Sequence, residues 1–96
     1  MGNKRADTVK LYESILKLQS VEECEKFFED LCTSMEISAM AQRVEVASLL
    51  LQKKVYMEIM EQTSASTATI SRVKRMLNQG NGCLEQVLLR GGPHDE

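Results

Sequence analysis

A chain of 96 residues with 27% charged side chains and a net charge of −2 makes one small domain whose core is adequate but marginal for a monomer. Its slight acidity excludes a general attraction to nucleic acid, so a function of that kind has to come from an uneven distribution of charge. The three cysteines, Cys24, Cys32 and Cys83, form no C-x-x-C pair, no apolar segment follows Met1-Gly2-Asn3-Lys4-Arg5, and no run approaches the length of a bilayer; we therefore expect a soluble cytoplasmic protein without disulfides or membrane contact.

Helical patterns fill nearly the whole chain, and no run alternates as a strand would. In the first helix, Val9, Leu11, Tyr12, Ile15, Leu16 and Leu18 spread over about half the circumference, wider than packing on one neighbour requires. Ser20 with Glu23 is a capping box that opens a second helix, and its apolar stripe is Val21, Cys24, Phe27, Phe28 and Leu31. Cys24 and Cys32 are separated by a helical rise of about 12 Å, beyond disulfide reach, and are expected to act as small core residues.

Thr33 with Glu36 repeats the capping box and starts a third helix, Met35 to about Gln52. Its later part, with Val44, Val46, Ala47, Leu49, Leu50 and Leu51, is apolar on every side and belongs at a centre. A short helix with Tyr56, Met57, Ile59 and Met60 then leads through Thr63-Ser64-Ala65 to a helix capped by Ser66, the arrangement of a helix-turn-helix. Gly80-Asn81-Gly82 breaks the chain, Leu84, Val87 and Leu88 give a last amphipathic turn or two, and Gly91-Gly92-Pro93 begins a polar tail. The expected fold is all-α, with about six short helices over residues 5–90, a helix-turn-helix over about 55–78, and flexible tails at 1–4 and 91–96.

The segment Gln62 to Leu77 is the most informative. Ile70, Val73 and Leu77 recur on one face, leaving Thr67, Ala68, Thr69 and Ser71 on the others. Short side chains let a backbone approach base edges, hydroxyls bond bases or phosphates, and Arg72, Lys74 and Arg75 can neutralise phosphates farther along. Charge is distributed to match. Eight acidic residues face three basic ones from Glu13 to Glu45, whereas Lys53, Lys54, Arg72, Lys74 and Arg75 outnumber Glu58 and Glu61 from Lys53 to Arg75. Ser66, Thr67, Ala68, Thr69, Ser71, Arg72, Lys74 and Arg75 are the candidate DNA-binding residues. A capped amphipathic surface helix with a solvated basic end would show the same composition.

Catalytic chemistry finds little support. His94 is the only histidine and falls in the expected tail, which leaves no Ser-His or Cys-His pair and no histidine-based metal site in the folded part. Neither G-x-x-x-x-G-K nor G-x-G-x-x-G occurs. Glu29 and Asp30 end an acidic helix face and read as solvated charges, and Met35, Met40, Met57, Met60 and Met76 read as core rather than a metal box. No enzyme activity, cofactor or metal is expected.

Three blocks are recognisable together: Asp30-Leu31-Cys32-Thr33, Ala41-Gln42-Arg43-Val44-Glu45-Val46-Ala47, and Ala65-Ser66-Thr67-Ala68-Thr69-Ile70-Ser71-Arg72-Val73-Lys74-Arg75. In order and separation they resemble the Trp repressor superfamily and, within it, the YerC/YecD group, over about Leu11 to Leu88. The resemblance implies two chains interlocked as a homodimer, each presenting a helix-turn-helix to DNA, which would account for the over-wide apolar faces. It also implies a candidate effector pocket at Arg43, Arg72 and Thr33. Arg43 and Arg72 match the two arginines that flank the corepressor indole in the Trp repressor, while a structural or phosphate-directed role for both is the favoured alternative. The rest of that pocket departs: Val73 stands where glycine is expected, Met76 where a small hydroxyl is expected, and Asp30 and Cys32 where two leucines are expected. An added valine fills the space of the ring and Asp30 repels a carboxylate, so tryptophan is not expected as the effector, whose identity stays open.

Two further departures concern the DNA-binding unit. Ser64 occupies the usual glycine position of the turn, where positive φ costs on the order of 1 kcal/mol, and Val55 replaces a capping hydroxyl at about 1 kcal/mol more. The first helix of the motif should be loosely held. The function expected is a homodimeric, sequence-specific transcriptional regulator, a repressor acting on an imperfect palindrome; the alternative is a helical protein-interaction module without specific DNA binding.

Overall fold

The computed structural model describes residues 4–91. They form six helices: α1 (Lys4–Leu16), α2 (Val21–Leu31), α3 (Ser34–Leu51), α4 (Tyr56–Thr63), α5 (Thr67–Gln79) and α6 (Cys83–Leu89). No strand occurs among the described residues. Of the expected tails, residues 1–3 and 92–96 lie outside the described residues, His94 with them, and Lys4 is already helical. By contacts the chain divides into two compact units, one ending at Ile37 and one beginning at Ser38, with the division inside α3.

In the first unit the helix boundaries follow the capping chemistry. Ser20 Oγ accepts from the Glu23 N–H at 3.0 Å, while the Glu23 carboxylate reaches back to the Gln19 N–H at 2.8 Å, one residue before the cap. Thr33 and Glu36 make the full reciprocal box, with Thr33 Oγ1 accepting from the Glu36 N–H and Glu36 Oε1 accepting from the Thr33 N–H. Leu18, read as part of the first helix, lies just beyond it: α1 ends at Leu16, and the Lys17 and Leu18 N–H groups close a tighter turn on Ser14 and Ile15. The Phe27 and Phe28 rings meet edge to face, with centroids 5.3 Å apart. Cys24, Phe27 and Phe28 are only half-buried, and Val21 and Leu31 of the same stripe are exposed.

The second unit holds the core. Val46, Ala47 and Leu49 of α3 pack with Ile59 of α4, Ala65 of the turn, and Ile70 and Val73 of α5; Leu50, Tyr56, Leu77, Leu84 and Leu88 close around them. The all-round apolar stretch of α3 is therefore central to this unit, although Val44 is exposed and Leu51 half-buried. At the end of α3 the Lys54 N–H bonds Leu49 O and the Lys53 N–H bonds Leu50 O, a Schellman stop that puts Lys53 at φ 66°. α5 ends at Gly80, where a Cβ would stand 2.5 Å from the Met76 carbonyl oxygen. Gly82, at φ 85°, then turns the chain into α6.

Candidate nucleic-acid interface

α4 and α5 pack on each other through the core of the second unit, joined by the turn Ser64-Ala65-Ser66. Ser64 takes the left-handed conformation, φ 61° and ψ 15°, at the C-cap of α4. No hydroxyl caps the other end, since Val55 offers no side-chain hydrogen bond there. Both departures expected of this motif are thus physical features of the chain.

The turn also carries a latch centred on Thr63. Thr63 Oγ1 donates to the Ile59 carbonyl at 2.7 Å and accepts from the Ala65 N–H at 3.1 Å, which ties the last turn of α4 to the first residue past the strained Ser64. From α3, Gln42 Nε2 donates to the Thr63 carbonyl at 3.2 Å. A helix-end carbonyl and a turn N–H are thereby satisfied by side chains.

α5 is about 20 Å long at 1.5 Å per residue. Ser66 caps it by accepting from the Thr69 N–H at 3.1 Å, and the Ser66 hydroxyl donates to Thr69 Oγ1 at 3.2 Å. Ile70 and Val73 are fully buried and Leu77 half-buried, so this stripe holds the helix on the core. Thr67, Ala68, Ser71, Arg72, Lys74 and Arg75 are exposed, whereas Thr69 is half-buried. With Ser66, which is also exposed, seven of the eight candidate residues thus form an outward surface, and the Ser66 and Thr69 hydroxyls at its edge are engaged in the cap. Tyr56, read only as an apolar residue of α4, also reaches α5: its hydroxyl lies 3.4 Å from Ser71 Oγ, and its ring lies 5.9 Å from the Lys74 ammonium.

The residues of the candidate effector pocket are placed as follows. Thr33 caps α3 in the first unit. Arg43 is half-buried on α3 and Arg72 exposed on α5, both in the second unit. Val73 is fully buried within the core and Met76 is exposed. Among the described residues no group of three His, Cys, Asp or Glu side chains could hold a metal ion, and no helix is long and apolar enough to cross a membrane.

Comparison with known proteins agrees with this geometry. The family model for the Trp repressor protein matches residues 6–91. The chain belongs to the Trp repressor family. It is 55% identical over 80 residues to the uncharacterised protein YerC of Bacillus subtilis, covering 83% of this chain and 77% of that protein. Among solved structures of Trp repressor type, a candidate Trp repressor from Staphylococcus aureus superposes with a TM-score of 0.83 at 46% identity, covering 86% of this chain and 83% of the other. A TrpR-like protein from Eubacterium eligens gives the same TM-score at 44% identity, covering 88% and 91%. The all-α reading of the sequence is that of the family.

Proposed function

We propose that this Trp repressor family member is a homodimeric, sequence-specific DNA-binding regulator, a repressor that lays α5 in the major groove of an imperfect palindrome. The observation that carries the reading is the division of α5: Ile70 and Val73 are wholly buried, while Thr67, Ala68 and Ser71 with Arg72, Lys74 and Arg75 are exposed. Small and hydroxylated side chains permit close approach and base contact, and the cations anchor phosphates. Neither Asp nor Glu lies on α5 to oppose them.

A homodimer is supported by the first unit, in which no described residue is buried. Leu16 is 84% exposed and Met35 81%, with Val21 and Leu31 also exposed on this small unit. Apolar surface left so open in one chain is what a second copy covers. The reading involves no catalysis, and its setting is the cytoplasm, where DNA is available.

Binding to duplex DNA measured across salt concentrations tests the proposal. Affinity should fall steeply and log-linearly with salt, as released counterions require. A salt-independent association, or none with DNA and one with a protein, would instead mark α5 as a helix-docking surface.

A further inference from the structure

We infer that Tyr56, at the start of α4, determines specificity by positioning Ser71 on the recognition surface. The inference rests on the DNA-binding reading of α5 and adds to it a residue from the neighbouring helix.

Tyr56 packs its half-buried ring against the core formed by α3, α4 and α5. A ring so held brings its hydroxyl to one place, and that place is 3.4 Å from Ser71 Oγ, with either oxygen able to donate. The other face of the contact is Lys74, whose ammonium stands 5.9 Å from the ring centroid, within cation–π range. Ser71 and Lys74 are three residues apart, hence neighbours on the surface of α5. One α4 side chain therefore touches two exposed residues of the candidate reading surface.

A hydroxyl–hydroxyl contact of this length on an exposed surface is weak and adds little to folding. Its effect is on choice. A free serine hydroxyl occupies several staggered rotamers and can donate or accept in any of them. Contact with Tyr56 favours the Ser71 rotamer that keeps its Oγ near the phenol, so that its remaining hydrogen-bonding capacity is biased in one direction and a base edge of the right polarity is met at a smaller ordering cost. Tyr56 is thus a positioning residue, and the loss of its hydroxyl should be felt in discrimination rather than in stability.

The test uses the full chain with two probes: a duplex selected by the wild-type protein from a random-sequence library, and a scrambled duplex of the same composition. Tyr56→Phe keeps the ring, its packing and the Lys74 contact while removing the hydroxyl. It should weaken binding to the selected duplex about three- to tenfold, leaving the scrambled duplex, the salt slope and the thermal midpoint unchanged. Ser71→Ala should give a similar loss, and the double variant should be no worse than the poorer single one. The inference is overturned if Tyr56→Phe binds the selected duplex as wild type does, if it weakens both duplexes equally, or if the two single losses multiply. Should the wild-type chain select no duplex at all, the DNA-binding reading fails and this inference with it.

Discussion

Gln42 on α3 donates its side-chain amide to the main-chain carbonyl of Thr63, 21 residues later, across 3.2 Å. Through it the core helix grips the turn of the helix-turn-helix at the residue before the left-handed Ser64. Thr63 passes the restraint on, since its hydroxyl links Ile59 O to the Ala65 N–H. The turn between α4 and α5 is thus bonded from α3 as well as from α4.

Thr63→Val keeps the shape and removes both hydroxyl bonds, leaving the part-buried Ala65 N–H without its partner. It should destabilise the fold by about 1–3 kcal/mol. Gln42→Ala should cost about 1 kcal/mol and also weaken DNA binding, because the turn is freed. Denaturant unfolding and a DNA titration of the same two variants check this; a Thr63→Val midpoint equal to wild type would show that the latch contributes nothing.

Lys53 and Ser64 both hold positive φ, at 66° and 61°. An L-residue loses about 1–2 kcal/mol there, and glycine gives back about 0.4–1 kcal/mol of that as unfolded-chain entropy. Lys53→Gly and Ser64→Gly should therefore each stabilise the chain by about 0.5–1 kcal/mol, additively, since they sit at different helix ends. Lower thermal midpoints for both would mean that local side-chain contacts outweigh the strain.

These two positions also divide what could be read from the sequence. Ser64 stood out because the helix-turn-helix pattern puts a glycine there, and the caps at Ser20, Thr33 and Ser66 were legible because each bond spans three residues. The buried stripe of Ile70 and Val73 followed from helical spacing. Lys53 carried no signal, since a Schellman stop is marked in sequence by glycine and here has a lysine. Gln42–Thr63 and Tyr56–Ser71 were beyond local reading for a different reason: their partners are 21 and 15 residues apart and meet only once α3, α4 and α5 have packed.

On the outward face of α5, proposed to meet DNA, Ala68 is exposed next to Thr67. Ala68→Glu places an unpaired carboxylate against the groove and should abolish DNA binding with unfolding unchanged, whereas Arg75→Ala should weaken all sequences alike and reduce the salt slope by about 1. Gel-shift titrations on cognate and scrambled duplexes separate the two effects. Wild-type affinity in Ala68→Glu would place the groove-facing side of α5 elsewhere.

If the open faces around Leu16, Val21, Leu31 and Met35 meet a second copy, unfolding has to depend on protein concentration. Dilution should lower the thermal midpoint, sedimentation equilibrium should give twice the chain mass at micromolar concentration, and bound half-sites should repeat at about 34–36 Å. A monomer at that concentration, with a midpoint independent of dilution, would leave the apolar faces for another partner.

Arg43 and Arg72 match the two arginines between which the Trp repressor holds its corepressor, yet this chain should not respond to tryptophan. Val73, where a glycine is expected, has its side chain fully buried among Val46, Ile59 and Ile70. Space for an indole beside Arg72 would have to be taken from that packing, at a cost of about 1–3 kcal/mol for the displaced core. Met76 adds bulk one turn later. Calorimetry with millimolar L-tryptophan should show no heat of binding, and affinity for a selected duplex should be unchanged. A tenfold rise in that affinity with tryptophan would mean that Val73 leaves the core to make room.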